Sequence, residues 1–153
     1  MMELLKTAVK QPLKVNQLQL SATFTPSFEA GFHVNMEGPK AAVRDGSVFE
    51  YCRLTDTVIQ AWSVLQHGYF KGNFVGKEEF AALNHVLNDL AKKYQVTPTA
   101  IALAWVLRYP GKMQAVIGTT KPQHVLEAGK AATVTLTRKE WYQVYLAAGN
   151  DLP

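Results

Sequence analysis

An α/β fold with a small parallel sheet is what this sequence predicts, and three observations predict it. Short apolar runs at 14–20, 57–63 and 113–117 have the length and composition of strands. Helical periodicity or helix-start signals fill the segments between them. Strands joined through helices pair in parallel, by right-handed crossovers, because a tight turn cannot reach a parallel neighbour.

The elements follow in order. Leu4 to Val9 reads as the tail of a helix, stopped near Pro12. Alternation over Lys14–Leu20 puts Val15, Gln17 and Gln19 on one face of a strand and Asn16, Leu18 and Leu20 on the other. Residues 23–46 carry Pro and Gly at intervals and read mostly as loop, with a short helix at Ser47–Arg53. Thr57–Ser63, "TVIQAWS", reads as a short strand buried on both faces. Gly68–Gly76 is a glycine-rich loop. Phe80, Leu83, Leu87, Leu90 and Tyr94 form the stripe of a long amphipathic helix.

Thr97 and Pro98 then read as an N-cap and first helical residue. The helix they open, "TAIALAWVLR", is apolar nearly all round and is expected to be sandwiched; Pro110-Gly111 ends it. Met113–Ile117 is the third strand. Thr120 with Gln123, and Thr137 with Glu140, read as capping boxes that open two last helices.

Length and composition bound the class. The 153 residues suffice for one domain, here read as 1–153, and 48% hydrophobic with 18% charged residues describes a globular chain. The net charge of +4 comes from scattered Lys and Arg, with no basic run interleaved with aromatics, so nucleic acid is not the expected partner. The single cysteine, Cys52, reads as a reduced structural thiol of a cytoplasmic protein, and no Cys/His cluster has metal-ligand spacing. Neither a signal peptide nor a membrane span is legible, so secretion and membrane insertion are not expected.

Three stretches could carry chemistry. In "VIGTTKPQHVLEAGK", a strand runs through Gly118, Thr119 and Thr120 into a helix start, where free N–H groups and the dipole attract an anion. Lys121 and His124 on that first turn suit a phosphate in front of them. An ordinary capped helix with solvated Lys and His explains the same spacing. In "QAWSVLQHG", Trp62 and Ser63 sit where a strand gives way to a loop, which is where α/β sheets bind ligands; a core Trp beside a surface Ser is the plainer alternative. Gln17 and Gln19 place two amides on one strand face, either for a carboxamide ligand or with one exposed and one satisfied by a loop. Together the three put planar-ring, phosphate and amide contacts at the carboxyl ends of successive strands.

"NQLQLS", "VIQAWSVLQHG", "VTPTAIALAWVLR" and "VIGTTKPQHVLEA", in that order, resemble the aldo/keto reductases over essentially the whole chain. Trp-Ser at the second site and the ending "EWYQVYLAAGNDLP" resemble one bacterial branch of that family. The resemblance implies the carboxyl-terminal half of a (β/α)8 TIM barrel, about three parallel strands with flanking helices. It also implies reduction of a small-molecule carbonyl compound with a nicotinamide cofactor, NADP as a rule and NAD as the alternative. Gln17 then resembles the nicotinamide carboxamide contact, and Trp62 the aromatic stacked on the ring. Ser63, Leu65 and Gly68 resemble pyrophosphate-loop positions. Gly118, Thr119, Thr120 and Lys121 fall around the adenosine phosphate, His124 where the family often has a 2′-phosphate Arg, and Glu127 on the adenine contact.

Departures qualify the match. His124 holds a phosphate less firmly than Arg, Ala128 stands where an Asn often reads adenine, and Asn73 stands where many members carry a loop-closing Lys. The family's proton-donating Asp, Tyr, Lys and His come from the first half of the barrel, and "MMELLKTAVKQP" resembles the helix before the sixth strand. The expectation is therefore a truncated, partial domain that keeps the cofactor site, lacks the proton donor and self-associates through exposed sheet edges. The alternative is a catalytically inactive nucleotide-binding or interaction module.

Overall fold

The computed structural model describes residues 1–28, 47–67 and 72–152. Most of the 23–46 loop, and Gly68 with the start of its loop, lie outside the described residues. The elements are α1 (Met2–Lys6), β1 (Val15–Gln19), α2 (Ser47–Leu54), β2 (Val58–Trp62), α3 (Ala81–Tyr94), α4 (Pro98–Leu107), β3 (Met113–Ala115), α5 (Pro122–Gly129) and α6 (Arg138–Ala147). After α1 this is the expected alternation of strands and helices.

The strands form one parallel sheet in the order β1-β2-β3. Gln17 pairs with Gln60 and Gln19 with Trp62, while Gln60 pairs with Gln114 and Ala61 with Ala115. Ladder bonds continue past the strand ends, from Leu20 N–H to the Trp62 carbonyl at 3.2 Å and from Val116 N–H to the Ala61 carbonyl at 2.8 Å. All three strands therefore exit at one rim.

The pleat sorts the side chains. Leu20, Ile59 and Ala61 point to the helical layer and are buried. Gln17, Gln60 and Gln114 form a row on the opposite face, where the Gln60 amide donates to Gln114 at 2.9 Å. The expectation that β2 is buried on both faces is corrected: Val58, Gln60 and Trp62 are only half-buried, because the helices pack on one face. β3 is also shorter than expected; Val116 and Ile117 are exposed past the sheet. The first helix spans Met2–Lys6 rather than reaching Val9; its chain turns at Thr7, whose hydroxyl donates to the Leu4 carbonyl at 2.7 Å.

Helix α4 organises the core. Thr97 Oγ1 accepts from Ala100 N–H at 3.2 Å and Pro98 occupies the first turn, as the sequence predicts. Every residue from Ala100 to Val106 is buried, the sandwiched helix expected of an apolar run. Leu83, Leu87 and Leu90 of α3 pack into the same core. Trp105 of α4 stacks on Trp141 of α6 with ring centroids 4.8 Å apart, and each indole N–H donates to the other's main-chain carbonyl, at 3.0 and 3.1 Å. Such a pair adds about 0.5–1.5 kcal/mol beyond its buried area. Cys52 is buried, and Asn16 Nδ2 donates to its sulfur at 3.7 Å, which fits a structural thiol.

The Thr137–Glu140 capping box forms as read, and its carboxylate does more than cap. Glu140 accepts from Lys93 at 2.5 Å, Tyr94 at 2.8 Å, and Thr137 N–H and Oγ1 at 2.7 and 2.8 Å, which ties the end of α3 to the start of α6. Burial raises its pKa, but hydrogen bonds from Lys93, Thr137 and Tyr94 outweigh that and hold it at about 2, below the ordinary 4.5. A depressed carboxylate stabilises the fold fully above its ordinary pKa, and the contribution is lost as pH falls toward the folded value. That difference corresponds to about 3 kcal/mol. The expected outcome is a stability loss of about that size between pH 5 and pH 2 in urea titrations, absent in Glu140→Gln; equal acid sensitivity of both proteins would contradict it.

Candidate functional site

The rim where the strands exit holds a cleft of about 490 Å³ between the loops that follow β2 and β3. Ser63, Leu65, Gln66 and Asn73 line one wall; Gly118, Thr119, His124 and Glu127 line the other. Thr99 and Leu103 of α4 contribute to its lining.

The first wall is built by backbone geometry. Ser63 ends β2 in the left-handed region at φ 54°, a conformation that turns the chain sharply out of the strand. Thr57–Ser63 is thus a strand only to Trp62. Residues 65–67 and 72–74 then run antiparallel: Phe74 N–H donates to the Leu65 carbonyl at 3.0 Å and His67 N–H to the Gly72 carbonyl at 3.2 Å. Two anchors fix this hairpin. Ser21 Oγ, in the β1 exit loop, donates to the Gln66 carbonyl at 2.7 Å. Asn84, buried on α3, accepts from Gly76 N–H at 2.8 Å and donates to the carbonyls of Phe74, Lys77 and Phe80 at 3.0–3.1 Å.

The second wall differs from expectation at one point. The Thr120–Gln123 capping box does not form; Lys121 is the N-cap and Pro122 the first helical residue. Proline's fixed φ suits that first position and moves the helix start one residue on. Gln123 instead donates to Glu127 at 3.0 Å, and Thr119 Oγ1 accepts from Lys121 N–H at 3.2 Å and lies 3.4 Å from His124 Nδ1. Thr120 and Lys121 are exposed and stand outside the cleft lining.

Of the residues singled out from sequence, the cleft brings together Ser63, Leu65, Gly118, Thr119, His124 and Glu127. Gln17 and Trp62 share the open face of the sheet, with Trp62 at the strand end and Gln17 one pair further back beside Gln60. Gly68 lies outside the described residues. Gln19, in register with Trp62, carries a buried Nε2 with no hydrogen-bond partner among the described residues. Sequence reasoning gave no role to Gln66 or Thr99: one is a loop amide and the other a polar residue on an apolar helix, with no periodic signal. Among the described residues there is no cluster fit for a metal and no helix long and apolar enough to cross a membrane.

Left-handed geometry at Ser63 is strained for a residue with a Cβ by about 1–2 kcal/mol. Ser63→Gly is expected to hold or raise the urea midpoint, whereas Ser63→Val lowers stability by about 1–3 kcal/mol. Equal effects of the two would show that the turn carries no strain.

Residues 28–146 match the model of the Aldo/keto reductase family. The chain is 31% identical over 151 residues to a 6-dehydroglucose reductase of Agrobacterium fabrum, covering 97% of this chain and 43% of that protein. It is 32% identical over 95 residues to Oxidoreductase YdhF of Escherichia coli, covering 61% of this chain and 30% of that one. Among solved structures it resembles the thermostable aldo-keto reductase Tm1743, crystallised with epalrestat, at TM-score 0.63 and 20% identity over 95% of this chain and 44% of that one. It also resembles a point mutant of Gox0644 in complex with NADPH, at TM-score 0.57 and 16% identity over 95% of this chain and 42% of that one. The chain thus spans less than half the length of these proteins, and its three strands and their helices have the fold of part of their (β/α)8 barrel. Sheet, rim loops and family model agree: the chain belongs to the aldo/keto reductase family.

Proposed function

We propose that residues 1–153 form the cofactor-holding part of a nicotinamide-dependent carbonyl reductase, with NADP as the dinucleotide and NAD as the alternative. The observation that carries this reading is the rim cleft, where Ser63, Leu65, Gly118, Thr119, His124 and Glu127 meet. The residues present fit such a ligand. A Cβ built on Gly118 meets nothing within 4 Å, so the backbone there is open to close approach. Gln19 offers an unmet buried donor beside Trp62. When bound, a reduced nicotinamide supplies a hydride to the carbonyl carbon.

The chain's own residues bind and orient. Trp62 gives the nicotinamide a flat apolar face and Gln17 pairs with its carboxamide. Ser63 and Leu65 frame the pyrophosphate. Gly118 and Thr119 border the adenosine phosphate, with Thr120 and Lys121 exposed just outside the cleft lining, while His124 meets the 2′-phosphate and Glu127 takes the adenine. No tyrosine or lysine lines the described cleft. The proton that turns the alkoxide into the alcohol, worth about 10²–10⁴-fold as general acid catalysis, thus has no donor of that kind among the described cleft residues. We therefore propose that these 153 residues alone bind the dinucleotide without turnover. The carbonyl compound named in the Agrobacterium fabrum relative, 6-dehydroglucose, is a candidate substrate of the whole enzyme.

A second reading is favoured by the two outer strands of the sheet, β1 and β3, whose edges have no neighbour among the described residues. Val15 and Gln17 of β1 and Gln114 of β3 are exposed, so a nucleotide-binding module that pairs with a second copy through this sheet is the alternative.

NADPH is expected to quench tryptophan fluorescence of the chain, an effect lost in Trp62→Ala, with no reduction of an aldehyde above background. Turnover that Trp62→Ala abolishes would overturn the proposed inactivity. Absence of binding would overturn the cofactor assignment. Arg keeps its charge at all working pH values and contacts phosphate through two N–H groups. His124→Arg is therefore expected to raise NADPH affinity about tenfold and leave NADH unchanged. A parallel gain for both cofactors would remove His124 from the 2′-phosphate.

A further inference from the structure

A second cavity, of about 550 Å³, lies where the start of α2, the end of α4 and the start of α6 meet. It shares no described lining residue with the rim cleft, and its volume suits a small ligand. Its walls are aromatic. Ring centroids are 4.9 Å apart for Phe28 and Phe49 and 4.8 Å for Phe49 and Tyr109. They are 5.5 Å apart for Phe28 and Trp141 and 5.2 Å for Trp141 and Tyr142. The rings thus run without a break from α2 to α6, at spacings that a further flat ring extends.

Two guanidinium groups stand at this apolar surface. Arg108 Nε donates to the Leu136 carbonyl at 2.7 Å, which fixes the plane of the fork and leaves its two terminal nitrogens to donate. The Arg138 guanidinium lies 5.9 Å from the centre of the Tyr142 ring, a cation–π distance that keeps it beside the wall. Neither arginine has an ion-pair partner among the described residues, whereas Lys6, Lys92, Lys93 and Lys112 do. Glu50 is the one carboxylate of the described lining, so two arginines leave that lining net positive.

Rings and charges together select the ligand. A purely apolar molecule strips water from the guanidinium groups and replaces none of their hydrogen bonds. A small inorganic anion leaves the aromatic wall wet. A flat ring system that carries one carboxylate satisfies both, because the carboxylate accepts from an arginine fork while the ring covers the wall.

We propose that this cavity is an accessory binding site for a planar aromatic carboxylate, its ring against the wall of Phe49, Tyr109 and Trp141 and its carboxylate on Arg108 and Arg138. The assignment is independent of the dinucleotide reading, since the two cavities have no described residue in common.

The probe is 2-naphthoate, with 2-naphthalenemethanol as its neutral counterpart. Calorimetric titration of the chain is expected to give a Kd of about 0.1 mM for the acid and binding about tenfold weaker for the alcohol. Arg138→Gln removes the charge of an exposed side chain. It is expected to weaken the acid about tenfold and leave the alcohol within about twofold, while Arg138→Lys, which keeps the charge, retains most of the acid's affinity. Backbone amide shifts on adding the acid are expected at residues 108–109 and 138–142 and not at residues 118–124. No saturable binding below about 10 mM, equal affinity for acid and alcohol, or an acid affinity unmoved by Arg138→Gln would overturn the assignment. So would an equal loss of both ligands in Arg138→Gln, and so would shifts confined to residues 118–124, which place the acid in the rim cleft.

Discussion

Parallel pairing of β2 with both neighbours is the constraint on which the rest depends. In a parallel sheet every strand leaves at the same edge, so the loops after β1, β2 and β3 meet without any loop reaching across the molecule. The contact of Ser21 with the Gln66 carbonyl, and of both cleft walls with α4, follow from that shared edge. An antiparallel β2 would send Ser63 and Gly118 to opposite ends.

The helical layer keeps the rim in place from below. Helix α4 is buried along most of its length and is locked to α6 by the reciprocal Trp105–Trp141 bonds. Its Thr99 and Leu103 reach the cleft, so the same helix fills the core and lines the site. Helix α3 works through three polar residues: Asn84 holds the hairpin of the first wall, and Lys93 and Tyr94 join Glu140 at the far end. The site loops thus inherit rigidity from packing they do not themselves provide.

Much of this was legible in the sequence, for physical reasons that differ by element. The Thr97 cap and the Thr137–Glu140 box depend on residues three apart and are written locally. The Thr120–Gln123 box has the same letters and fails, because Pro122 takes the first helical position. Burial of β2 on both faces was misread because apolar composition does not say how many layers cover a strand. Within the site, Thr119 and His124 lie beside a glycine and a helix start, and Ser63 where an apolar strand gives way to a loop, so all three are readable. Gln66 was not, because its partners are Ser21, 45 residues away, and a serine in a strained turn.

If one dinucleotide spans both rim loops, its binding protects both at once. Hydrogen exchange of the chain with and without NADPH measures this directly at backbone resolution. Slowed exchange at Leu65–His67 and at Gly118–Thr119 together is the expected result, with the Trp105–Trp141 side of the core unchanged. Protection of one loop alone, or of neither, would contradict it.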